Sequence, residues 1–274
     1  FKITPKELAL ITGSHGGEKI HTELVISLLD RAGLSVDNLG CGTHPPFDKT
    51  TRTALYKSGG KPQLTHHNCS GKHAGMLLTA LVDKVPLEEY LSPASRVQQR
   101  INNLICELTN LTPEELIVGI DGCSAPAHAL SMKSAALAYA RLINPTGMST
   151  EIAEAANRVS RAMRSYPEMI GARQDRICTD LMRLGRVFEL TAKSGAEGFY
   201  AAAWKDSTSG KGIGMSIKIE DGAERARNPL CIYLLQKHNI IPYELSQNLI
   251  KYAPGNILNG LKMVVGKIVI RDDN

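Results

Sequence analysis

His66-His67-Asn68-Cys69-Ser70-Gly71-Lys72-His73-Ala74-Gly75 is the stretch against which the rest of the chain is read. It concentrates imidazole, thiol and amine groups directly ahead of the apolar run Met76, Leu77, Leu78, Ala80 and Leu81, whose spacing predicts a helix from Ser70 to about Lys84. Ser70 reads as the N-cap, with Cys69 at the helix mouth and Lys72 and His73 in the first turn. Free backbone N–H groups and the positive end of the helix dipole favour a thiolate or a bound anion there. The plainer reading is a helix cap with one buried cysteine.

A second stretch bears on that choice. Leu116 to Ala127 reads as a short apolar strand running into a glycine-flanked turn that carries Asp121 and Cys123. Cys69, Lys72, Asp121 and Cys123 together offer sulfur, nitrogen and oxygen donors, a set that suits zinc. The spacing is not diagnostic, since neither C-x-x-C nor H-E-x-x-H occurs, and a lysine must be neutral to bind metal.

Composition narrows the class. The 274 residues carry 43% hydrophobic and 22% charged side chains, as soluble enzymes do, in a length suited to one large domain or two small ones. A net charge of +5 without a Lys/Arg block gives little support to nucleic acid or membrane binding, and no apolar run is long enough for a membrane span. Six scattered cysteines fit reduced thiols in a cytoplasm better than a disulfide framework. The chain opens at Phe1 and enters Thr4-Pro5-Lys6-Glu7 as a helix N-terminus, so an N-terminal segment is expected upstream.

Outward from the central stretch, Gly13-Ser14-His15-Gly16-Gly17 forms a glycine-rich turn before a helix over 18–32, closed by Gly33. Ser14 there is either a reactive hydroxyl on a strained loop or an ordinary turn serine beside a surface histidine. Residues 39–60 lack periodicity and read as a flap or covering loop, with His44 a solvated histidine. Helices are expected over 93–108, over 129–142 as a buried segment, and from Ser149 or Thr150 to about Ser165. A short strand over 187–190 leads to Thr191-Ala192-Lys193-Ser194-Gly195-Ala196-Glu197-Gly198, and the alternation over 199–219 reads as a hairpin. Lys193 then stands at the entrance of an antiparallel sheet, next to glycines that let a substrate approach the backbone. Helices over 223–238 and 243–252 and a strand over 261–270 complete the chain. This order predicts an α+β fold, an antiparallel sheet flanked by helices.

Gly13-Ser14-His15-Gly16-Gly17-Glu18, Asn68 to Gly75, Asp121-Gly122-Cys123 and Lys193 to Gly198, in that order, resemble the L-asparaginase II family of bacteria, the metal-binding type similar in fold to serine β-lactamases, penicillin-binding proteins and glutaminases. The resemblance spans nearly the whole chain, read as one domain with a sheet-containing and a helical lobe. It implies hydrolysis of L-asparagine to L-aspartate and ammonia, and a zinc ion held by Cys69, Cys123 and Lys72 with Asp121 beside it. Two serine/lysine pairs are implied: Ser14 with Lys193, and an S-x-x-K pair that belongs upstream of Phe1. His15, Lys72, Asp121, Gly195 and Ala196 are implied at the substrate, and a homodimer as the assembly. The alternatives are another amidohydrolase or a β-lactam- or peptide-recognising serine enzyme of the same fold, or a zinc-stabilised binding module without catalysis.

Overall fold

The computed structural model describes residues 1–185, 189–244 and 247–271. Its helices are α1 (Pro5–Ile11), α2 (Lys19–Asp30), α3 (Lys49–Lys57), α4 (Ser70–Asp83), α5 (Arg96–Thr109), α6 (Met132–Ile143), α7 (Thr150–Ser165), α8 (Pro167–Ile170), α9 (Ile177–Leu184), α10 (Glu224–Lys237) and α11 (Gln247–Ile250). Its strands are β1 (Ile117–Ile120), β2 (Pro126–Ala129), β3 (Thr191–Ser194), β4 (Phe199–Lys205), β5 (Gly212–Lys218), β6 (Asn256–Leu258) and β7 (Val264–Lys267). They form three small antiparallel sheets, β1-β2, β3-β4-β5 and β6-β7. The fold is α+β, as the element order predicts.

Local chemistry sets most helix starts. Thr4 caps α1 by accepting the Glu7 N–H at 3.3 Å, and the Glu7 carboxylate returns the bond to the Thr4 N–H at 2.8 Å. Ser131 accepts the Ser134 N–H at 3.0 Å and Ser149 the Ile152 N–H at 3.3 Å, which fixes the starts of α6 and α7. Packing then orients the elements. α1 lies against α4 and α7, while α6 covers β4 and β5. Leu10, Leu28, Leu29, Leu77, Leu181 and Tyr200 are fully buried in one continuous core, each aliphatic side chain contributing roughly 1.5–3 kcal/mol. Gly71 lets α4 meet α1 closely, because a Cβ there would stand 2.6 Å from the Leu10 carbonyl oxygen.

Several expectations need correction. Ser70 is not the N-cap of α4 but its first residue; Cys69 is the cap, and the Ser70 hydroxyl instead donates to the Thr65 carbonyl at 3.0 Å. The covering segment 39–60 contains α3, nucleated by Asp48, whose carboxylate accepts the Thr51 N–H at 2.6 Å. The sequence reading does not foresee β2, so α6 starts at Met132; packed on β4, β5, α5 and α7, it is half-buried, with only Ala135 and Ile143 fully enclosed. Of the strand expected over 187–190, positions 187–188 lie outside the described residues; Leu190 is buried coil and the strand begins at Thr191. In the helix expected over 243–252, positions 245–246 also lie outside them, and Gln247–Ile250 is helical. The single last strand is the hairpin β6-β7. No helix among the described residues is long and apolar enough to cross a membrane.

Candidate active site

Ser14 leaves α1 on a loop pinned from both sides. Its own N–H donates to the Ile170 carbonyl at 2.9 Å, and the His15 N–H donates to that of Asn68 at 3.1 Å. At Gly13 a Cβ would meet the Met169 carbonyl oxygen at 2.5 Å, so this approach needs glycine. Lys193 lies on β3, an edge strand, in register with Ala201 of β4. Its Nζ is 2.8 Å from Ser14 Oγ and 2.8 Å from the Ser194 carbonyl oxygen. Burial pulls the Lys193 pKa down to about 8, with the nearby Arg176 charge acting in the same sense. The two residues expected to act together are therefore in direct contact, and the lysine gives up its proton more readily than an exposed one.

Beside this pair, Cys69 at the mouth of α4 faces the β1–β2 turn. Lys72 Nζ is 3.2 Å from Cys123 Sγ and 3.8 Å from Asp121 Oδ2, and the latter is 3.3 Å from Cys123 Sγ. The turn presents Asp121 and Cys123 on one side through bonds from the Asp121 N–H to the Ala125 carbonyl and from the Ser124 N–H to the Asp121 carbonyl, at 2.8 and 2.9 Å. A hydrogen bond between the thiols stabilises Cys123 as the thiolate, with Lys72 assisting, and pushes the Cys69 pKa up. Burial disfavours a charged Lys72, but the two cysteines and Asp121 outweigh it and the lysine pKa is raised.

This donor set could hold a metal ion, and its mix of sulfur and oxygen is the chemistry that suits zinc. Donor atoms of Cys69, Asp121 and Cys123 all lie within 4.8 Å of one another; two sulfurs bound tetrahedrally at about 2.3 Å stand about 3.8 Å apart, so little closure is required. Lys72 joins such a set only by losing its proton. His73 adds support from behind. The Tyr90 hydroxyl accepts the Gly40 N–H at 2.7 Å and has its own hydrogen for His73 Nδ1 at 2.6 Å. That leaves the imidazole proton on Nε2, which is buried without a hydrogen-bond partner yet close enough to Cys123 to lower its pKa.

Two adjoining cavities of about 520 Å³ each meet at Ser14. One runs past Lys193 to Cys69, Lys72, Asp121 and Cys123; the other is bordered by Arg176, Glu224 and Arg227. Phe47, Asn68, Gly195 and Ala196 line both. Of the residues expected at the site, Ser14, Cys69, Lys72, Asp121, Cys123, Lys193, Gly195 and Ala196 thus share one cleft. His15 does not. It is fully buried; Nδ1 accepts the Gly17 N–H at 3.2 Å, so Nε2 donates to Ser70 Oγ at 3.0 Å, and neither nitrogen is left for a substrate. His44 is also no solvated histidine: its ring packs on Phe47 and His67, and Nε2 accepts the Asn68 N–H at 3.0 Å. Arg176 and Phe47 were not anticipated, because both sit in loops whose residues show no periodicity.

A family model described as L-asparaginase II matches residues 1–270. No curated protein gives a significant match.

Proposed function

The chain belongs to the L-asparaginase II family, and from that premise we propose that it hydrolyses L-asparagine to L-aspartate and ammonia with Ser14 and Lys193 as a nucleophile and base pair. The observation that carries this reading is the 2.8 Å contact between Ser14 Oγ and a lysine whose pKa is drawn down to about 8. Neutral Lys193 takes the Ser14 proton as Oγ bonds to the side-chain amide carbon. The resulting ammonium returns that proton to the departing nitrogen as the C–N bond breaks, and ammonia leaves an ester on Ser14. Lys193 then takes a proton from the water that cleaves this ester, and aspartate is released.

A zinc ion held by Cys69, Cys123, Asp121 and a deprotonated Lys72 would supply a Lewis acid that orients or polarises the substrate. Contacts of Lys72 with the Cys123 sulfur and the Asp121 carboxylate hold the β1–β2 turn against α4, and Gly195 and Ala196 line the cleft. The serine β-lactamase-like architecture belongs to the same proposal, supported by a three-stranded antiparallel sheet with Lys193 on its edge strand. So do a homodimer and a reducing cytoplasm, for which six free cysteines speak.

The test is release of ammonia and aspartate from L-asparagine by purified protein of recorded intact mass. Loss of both products in Lys193→Met and in Ser14→Ala is expected. Turnover within about threefold of the parent in either variant, a cost below 1 kcal/mol, would remove the pair from the chemistry.

A further inference from the structure

The cleft holds two arginines, and their charges are treated differently. Arg227 is buried and neutralised: its guanidinium donates to Glu224 at 2.8 Å and to Asn228 at 3.1 Å. Arg176 is half-buried, stacks over Phe47 with its guanidinium carbon 5.7 Å from the ring centre, and its guanidinium donates to the Ser14 carbonyl oxygen at 3.0 Å. Among the described residues no carboxylate pairs with it. Neighbouring Asp175 is engaged by Lys251 at 2.6 Å, and Glu18 by Arg173 at 3.0 Å. A guanidinium offers five N–H donors in a rigid fork, and one that is half desolvated without a counter-ion is costly until an anion arrives.

The position of that charge suggests which anion. Arg176 touches the backbone of the nucleophile itself and borders the cavity that opens at Ser14 away from Cys69 and Cys123. In asparagine only two carbon atoms separate the carboxamide carbon from the α-carboxylate. A substrate attacked at its amide by Ser14 therefore has its carboxylate within reach of a group that already reaches the Ser14 carbonyl.

Resting on the asparaginase reading, we propose that Arg176 is the residue that receives the substrate's α-carboxylate, with Phe47 holding the guanidinium plane in place, and that it sets the preference for free amino acids over amides lacking that carboxylate. The Phe47 ring restricts the side chain, so little rotamer freedom is lost when the anion binds.

The experiment compares L-asparagine with L-aspartic acid diamide, which keeps the side-chain amide but replaces the carboxylate by a neutral carboxamide. Products are identified chromatographically, so that hydrolysis at either amide is distinguished. In Arg176→Gln, KM for asparagine should rise about 30-fold or more while kcat changes little, as for removal of one partner of a partly desolvated charge pair. Turnover of the diamide at its side-chain amide should stay within about threefold of the parent. Arg176→Lys should recover part of the asparagine affinity. Equal losses on the two substrates would overturn the proposal, since they would mean that Arg176 only holds the Ser14 loop. An unchanged KM for asparagine would overturn it as well. A parent protein that forms no aspartate from asparagine would instead defeat the asparaginase reading on which the proposal stands. Thermal melting of both variants separates unfolding from lost recognition.

Discussion

Lys193 Nζ stands 2.8 Å from Ser14 Oγ, although 179 positions of sequence separate the two residues. The lysine reaches the serine from an edge strand, and its Nζ also donates to the Ser194 carbonyl at 2.8 Å. Burial is the largest influence on its pKa and draws it to about 8.

A base must be unprotonated to act. The value of kcat/KM for asparagine should therefore rise with pH along a limb with a midpoint near 8 and level off above it. Lys193→Arg should lack that limb and most of the activity, because a guanidinium keeps its proton. A pH–rate profile from 6 to about 10 checks this; a limb unmoved by the substitution would assign it to another group.

The same shift makes a stability statement. The folded-state pKa of Lys193 is below the ordinary 10.5, so between about 8 and 10.5 the unfolded chain binds more protons than the folded one. The penalty for holding a charged lysine is fully present below about 8 and fades as pH rises towards 10.5. Lys193→Met should thus be more stable than the parent at pH 7, by up to about 3 kcal/mol, with the gap closing as the solution is made alkaline. Denaturant titrations at pH 7 and near pH 10 measure it, and a gap of constant size would contradict the assignment.

At the thiol cluster, metal supply and thiol chemistry should oppose each other. Cys123, favoured as a thiolate by Cys69 and Lys72, should be the first cysteine alkylated by iodoacetamide in metal-free protein, and added zinc should protect it. Peptide mapping after brief alkylation gives the site. Modification that begins at Cys106 or Cys231, both buried outside the cleft, would show the cluster to be inert.

His73 offers its Nε2 proton towards Cys123 because Tyr90 supplies the hydrogen on the other side of the ring. His73→Phe should weaken zinc binding about 10-fold, within the range for a residue that supports a ligand without being one. Tyr90→Phe should weaken it less. Competition against a chromophoric chelator reads both, and equal affinities for all three proteins would sink the role given to the imidazole.

How much of this was legible in the sequence depends on distance along the chain. Cys69 caps α4 and Lys72 lies in its first turn, and Asp121 and Cys123 share one turn, so each half of the cluster could be read from helix-end and turn geometry. That the halves meet could not, because 51 positions separate Lys72 from Cys123. The pairing of Ser14 with Lys193 was expected only through the family resemblance, not through any pattern of spacing. The family resemblance implies His15 at the substrate, and a glycine-rich turn would leave it exposed; the imidazole is instead buried, bonded to Ser70, 55 positions away. Helix α3 escapes the sequence reading because it has no buried residue and hence no apolar stripe. Arg176 escapes it because it sits in a loop without periodicity, and because the lack of a paired carboxylate among the described residues is nothing a sequence pattern records.

The long span between Ser14 and Lys193 has a kinetic consequence. The pair forms only after nearly two thirds of the chain has been drawn into one closed loop, an ordering cost that grows slowly with length but cannot be met locally. Competence should therefore appear late during refolding, after helical signal has been regained, and a nascent chain that has not yet emerged beyond Lys193 holds the serine without its base.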